Sequence, residues 1–109
     1  MIYARTAFFE GDLNEAQKKE FVEYMRTTVA PIIRTFPGCQ ELQINVPHKL
    51  EPAAPQQLLL MVQHSYKDAD AFAKAIDSEQ RIASMNATKV ILDKFPIKVY
   101  HVDFYRDTI

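Results

Sequence analysis

Four strand-like runs and two longer stretches with helical spacing follow one another in the order strand, helix, strand, strand, helix, strand. Few packings satisfy that order. The opening run Ile2 to Phe9 is rich in aromatic and β-favouring residues and closes at Gly11-Asp12, which reads as a strand ending in a turn. From Asn14 onward Phe21, Met25, Thr28, Ile32 and Phe36 recur at three- and four-residue steps, with Lys18, Lys19, Glu23 and Arg26 opposite them. That is the pattern of an amphipathic helix. Asn14 is placed to cap it, and Glu15 sits near its positive end. Pro31 removes a backbone donor and predicts a kink or a separate last turn.

Pro37-Gly38 stops the helix, and Cys39 to Val46 then alternates Leu42, Ile44 and Val46 with Glu41, Gln43 and Asn45. The segment Pro47 to Pro55 holds three prolines without periodicity and reads as the connection of a long hairpin. Gln57 to Tyr66 is apolar on both faces, as in a central strand. Asp68 or Asp70 caps a helix striped by Phe72, Ala75 and Ile76, and Ser78 caps a further stretch carrying Ile82, Met85 and Val90, with a break near Asp77-Ser78. Ile97 to Tyr105 closes the chain as a strand, with Val99, His101, Asp103 and Tyr105 on one face and Lys98, Tyr100, Val102 and Phe104 on the other.

This element order predicts an α+β, ferredoxin-like βαββαβ fold, with one four-stranded antiparallel sheet and helices on a single face. Apolar residues on both sides of several strands leave a sheet face in need of a partner. The expectation is therefore one domain over residues 1–109 that pairs with a second copy into a dimeric α+β barrel. Composition narrows the partners. With 13 Lys and Arg against 14 Asp and Glu, no cationic cluster exists to meet nucleic acid or an anionic membrane. The longest apolar run, Leu58 to Val62, is far short of the roughly 20 residues that span a bilayer, and no signal peptide is apparent. A single cysteine, Cys39, fits a reducing cytoplasm and a packing role.

The run Val29-Ala30-Pro31-Ile32-Ile33-Arg34-Thr35-Phe36-Pro37-Gly38 resembles the His-Ala-Pro-Leu-Val…Leu-Pro-Gly run of EthD-type proteins. Ala71 to Glu79 resembles their Ala-Phe…Ala-Leu…Ser-Pro-Glu helix, and Phe95 falls near their following aromatic. The resemblance implies the dimeric α/β-barrel superfamily, which includes cofactor-free oxygenases of antibiotic biosynthesis, haem-degrading oxygenases, muconolactone isomerases and members without known activity. Two departures matter. Val29 stands where the resemblance expects histidine, so any role of that histidine is not inherited. The positions that match the tryptophan and iron-binding histidine of haem-degrading relatives are Ala75 and Met85, and the chain has no tryptophan.

His64 and His101 fall on the third and fourth strands, where either imidazole can exchange a proton near neutral pH or serve as a hydrogen-bonded sheet residue. The two converge across Arg5 or Thr6 only if all face one pocket. Arg5, a cation on a central strand, must be paired with a carboxylate such as Glu41 or Asp103 or aimed at an anionic ligand oxygen. Tyr3, Tyr24, Tyr66 and Tyr100, with Met85, are candidate walls for a planar ligand, or core. Three scattered histidines show no metal-ligand spacing, and no glycine-rich phosphate loop occurs, so neither a metal nor another cofactor is expected. Two readings follow. One is a homodimer acting as a metal- and nucleotide-independent oxygenase or isomerase on a small planar organic compound, with His64, His101 and Arg5 as catalytic groups. The other is a ligand-binding or stress-associated dimer without turnover.

Overall fold

The computed structural model describes all 109 residues. Strands β1 (Ile2–Glu10), β2 (Glu41–Asn45), β3 (Leu58–Tyr66) and β4 (Lys98–Arg106) form one antiparallel sheet in the order β2-β3-β1-β4. The long strands are β1, β3 and β4, and β1 lies between the other two. This is the ferredoxin-like arrangement that the element order predicts. The Cα extents of 39 × 33 × 18 Å fit one sheet layer and one helix layer.

Helix α1 (Glu15–Tyr24) opens with a capping box: Asn14 Oδ1 accepts from the Gln17 N–H at 2.8 Å, and Gln17 Oε1 accepts from the Asn14 N–H at 3.0 Å. A π-helical turn (Met25–Val29) follows, in which the Ala30 N–H donates to the Met25 carbonyl five residues back, and α2 (Ala30–Arg34) completes the segment. The break expected at Pro31 thus falls one turn earlier, and Pro31 sits in the first turn of α2. The wider turn also corrects the expected apolar stripe. One extra residue per turn swings Val29 inward, to 1% exposed, while Thr28 points to solvent. Gly38, at φ 76°, then turns the chain toward β2. Strand β2 is shorter than the expected Cys39–Val46, because the Cys39 N–H turns back to the Phe36 carbonyl and Val46 is exposed.

Asp68 caps α3 (Ala69–Ile76) by accepting from the Ala71 N–H at 2.8 Å, and Ser78 caps α4 (Glu79–Lys94), so the chain breaks at Asp77-Ser78 as expected. On α4 the apolar residues Ile82, Met85 and Val90 are exposed, whereas Ser84 and Ile91 are buried. The main core packs Phe9, Leu60 and Val62 of the sheet against Phe21, Met25 and Ile91 of the helices. A second cluster joins Phe36, Tyr66, Phe72 and Ala75.

Side-chain alternation divides the sheet. Odd-numbered residues of β1 meet the helices, as the Phe9–Phe21 and Tyr3–Phe72 ring pairs show, and even-numbered ones face away. The far face is most apolar across β1 and β4, where Phe8 stacks on Tyr100 and Val102 and Phe104 remain exposed. Toward β2 it is polar: the Gln63 amide donates to Thr6 Oγ1, and Arg106 donates to Gln63 Oε1.

Candidate functional site

The helix-facing side of the sheet carries four registered rows, and the polar groups gather in two of them. One row reads Leu42, His64, Arg5, Asp103 across β2, β3, β1 and β4; the adjacent row reads Ile44, Val62, Ala7, His101. Antiparallel pairing forces this alignment, so His64 and His101 flank β1 on the same face, with Arg5 between their strands. Above these rows lies a cavity of about 440 Å³, large enough for a small organic ligand. Ala7, Phe9, Val62 and Val99 supply its apolar floor; Met25 and Val29 of the π-helical turn, Phe72 of α3 and one face of α4 supply its walls.

Arg5 is held from two sides. Its Nη1 donates to Asp103 Oδ1 at 3.0 Å, and its guanidinium lies 5.7 Å from the Phe72 ring centre. Asp103 also accepts from the Tyr3 hydroxyl. Burial, and then the hydrogen bond to Asp103 and the charge of that carboxylate, push the Tyr3 phenol up to about 12. Arg5 is therefore both paired and aimed into the cavity, which combines the two alternatives its position leaves open.

His64 is 8% exposed, and its Nδ1 lies 2.7 Å from the hydroxyl of Tyr66, a residue with no exposure at all. The Tyr66 hydroxyl has this nitrogen as its only partner, so it donates to Nδ1 and leaves the proton of the neutral imidazole on Nε2; the tautomer is assigned from this bond. Burial, reinforced by the charges of Arg5 and His101, lowers His64 to about 4. His64 is thus a neutral N–H donor at pH 7. His101 is also shifted down, by partial burial first and then by Arg5, with Asp103 opposing. Its ring hydrogen-bonds to no group of the chain and is more open to solvent, so it remains free to accept a proton.

Arg5, His64, His101 and Met85 all line the cavity. The tyrosines do not. Tyr66 stands behind His64, Tyr3 stacks on Phe72 at the end of the sheet, and Tyr24 donates to the Ala87 carbonyl at 2.7 Å, tying α1 to α4. Tyr100 is on the opposite face, beside Phe8, because its neighbour His101 takes the inward position. Sequence reasoning passed over Arg81, which lines the cavity from α4. Its spacing of four and seven residues from Met85 and Thr88 is the available signal. No set of three His, Cys, Asp or Glu side chains is grouped to hold a metal ion. Val29, at the position where the resemblance expects histidine, meets the cavity with a hydrocarbon side chain.

No family model and no curated protein matches the chain. Solved structures do match it. An EthD (ethyl tert-butyl ether D) family protein from Bacillus halodurans C-125 superposes with a TM-score of 0.74 at 20% identity, over 94% of this chain and 97% of that one. The fold is the ferredoxin-like fold. SnoaB, a cofactor-independent oxygenase from Streptomyces nogalater, matches at a TM-score of 0.63 and 12% identity, covering 99% of this chain and 95% of SnoaB. A dimeric protein of unknown function with a ferredoxin-like fold from Bacteroides fragilis NCTC 9343 matches at 0.65 and 9% identity, over 94% of each chain. At these identities the likeness concerns the backbone, and the chemistry has to be argued from the cavity.

Proposed function

We propose that this EthD-like chain binds a planar organic compound in the cavity between sheet and helices and stabilises an enolate or phenolate formed from it, without metal or nucleotide. The observation that carries this reading is the meeting of Arg5, His64 and His101 on one face of the sheet over an otherwise apolar floor. Arg5 and the His64 Nε2–H offer two donors to one developing oxyanion. His101, neutral at pH 7, takes the proton. Return of the proton to a different carbon gives an isomerase. Transfer of an electron from the carbanion to dioxygen, followed by coupling of the two radicals, gives an oxygenase whose reductant is the substrate itself.

In this reading the chain over residues 1–109 is one half of a homodimeric barrel, joined through the apolar part of the far sheet face around Phe8, Tyr100, Val102 and Phe104. That face has no covering helix, and the Bacteroides fragilis protein of the same fold is described as dimeric. A reducing, cytoplasmic setting suits the half-buried Cys39, whose thiol burial pushes up and so keeps protonated.

A second reading, ligand binding without turnover, is favoured by Val29 in the cavity wall and by the Asp103 partner that already occupies Arg5. An enolisable bicyclic ketone such as 2-tetralone separates the two. The catalytic reading expects exchange of its α-hydrogens for deuterium above the buffer rate, lost in His101→Ala. Binding of the ketone with exchange no faster than buffer establishes the second reading.

A further inference from the structure

Four charged residues line the cavity: Arg5, Arg81, Lys89 and Asp93. Three of them are neutralised within the protein, since Arg5 pairs with Asp103 at 3.0 Å and Lys89 with Asp93 at 2.6 Å. Arg81 is not. Only its backbone is engaged, through its N–H to Ser78 Oγ at 3.3 Å and its carbonyl from Ser84 Oγ at 2.8 Å. The guanidinium forms no ion pair and donates to no group of the chain, leaving its five N–H donors and one positive charge without a protein partner.

The surroundings select what can answer that charge. Arg81, Ser84, Met85 and Thr88 share the inward face of α4. The Ser84 hydroxyl donates to the Arg81 carbonyl and the Thr88 hydroxyl to the Ser84 carbonyl, so neither proton is free for a ligand. A ligand oxygen on this wall therefore finds its donors on Arg81. Arg81, Arg5 and His101 line one and the same cavity. Phe9, Val62, Leu92 and Val99 supply hydrocarbon lining, and the other charged lining residues, Lys89 and Asp93, pair with each other.

We propose that Arg81 binds a carboxylate of the ligand and that the ligand class is a planar aromatic carboxylic acid with a neighbouring hydroxyl or keto oxygen. The carboxylate takes the fork of Arg81, the second oxygen reaches Arg5 and the His64 N–H, and the ring system lies on the hydrocarbon floor. This rests on the cavity being a ligand site, as proposed above, and adds to it the charge and class of the ligand.

Titration with 3-hydroxy-2-naphthoate and with its methyl ester, followed by the fluorescence of the naphthalene ring, tests it. The wild-type protein should bind the acid at least about tenfold more tightly than the ester. Arg81→Gln should bind the ester as the wild type does, which shows an intact cavity, and should lose the preference for the acid. Binding of both without preference in the wild type, or an undiminished preference in Arg81→Gln, overturns the assignment while leaving the cavity a ligand site. Failure of the wild type to bind either compound overturns both.

Discussion

His64 should make the stability of this protein fall as the medium is acidified, by an amount the structure sets. Its imidazole is buried neutral against Tyr66, with a pKa lowered from 6.5 to about 4 by burial and then by Arg5 and His101. In the unfolded chain the same ring takes up a proton at its ordinary value. Between these two values the unfolded state binds more protons than the folded one, so stability is full above pH 6.5 and is lost as pH falls toward 4. At about 1.4 kcal/mol per pH unit, the loss attributable to this residue is about 2 kcal/mol at pH 5 and about 3 kcal/mol at pH 4. For a domain whose whole stability is about 5–15 kcal/mol, that is a large fraction. Urea unfolding of wild type and His64→Gln at pH 7, 5 and 4, at one protein concentration, isolates the effect. The substituted amide does not titrate, and the carboxylates and His101 contribute to both curves. The two proteins should converge in stability on acidification, by about 2 kcal/mol between pH 7 and pH 5. Parallel curves would refute the reasoning, whatever their absolute offset, because they would mean that His64 carries no lowered pKa.

Three further outcomes are expected. In Asp103→Asn the Tyr3 phenol should titrate below its value of about 12 yet above 10, because burial, the larger cause of its shift, remains; ultraviolet titration of tyrosinate absorbance reads it, and an unmoved value would dismiss the Asp103 contact. Gly38→Ala should cost about 1 kcal/mol in chemical denaturation: the added Cβ meets only ordinary contacts at 3.9 Å, so the cost is the backbone strain of φ 76°, and an unchanged midpoint would contradict it. If the proposed homodimer joins through the far sheet face, the wild type should sediment as a dimer and Phe104→Lys as a monomer, since the substitution sets two like charges against an apolar interface; a dimer that persists unchanged would place the interface elsewhere.

The strands and helix caps were legible because they depend on near neighbours. The alternation of Val99, His101, Asp103 and Tyr105 places those residues on one face by the pleat alone. Asn14, Asp68 and Ser78 sit where a short polar side chain can satisfy the first free N–H groups of a helix. The π-helical turn was not legible in the same way. Pro31 signals trouble in the helix, but the position of the wide turn is set by which residues gain from facing Leu60 and Val62 across the core. That choice brings Val29 inward in place of Thr28.

From the sequence alone came the order of elements, hence the ferredoxin-like fold, and the strand placement of Arg5, His64 and His101. Register across β3, β1 and β4 was decided only in the folded sheet, because the partner of each strand residue lies about fifty to a hundred positions away and depends on the core that all the elements build together. Register puts Arg5 between the two imidazole-bearing strands and against Asp103. Burial, likewise a property of the assembled layers, turns His64 into a neutral donor, and the packing of the helices decides that the His101 side of β4, and not the Tyr100 side, faces the cavity, with Arg81 its one cation without a partner.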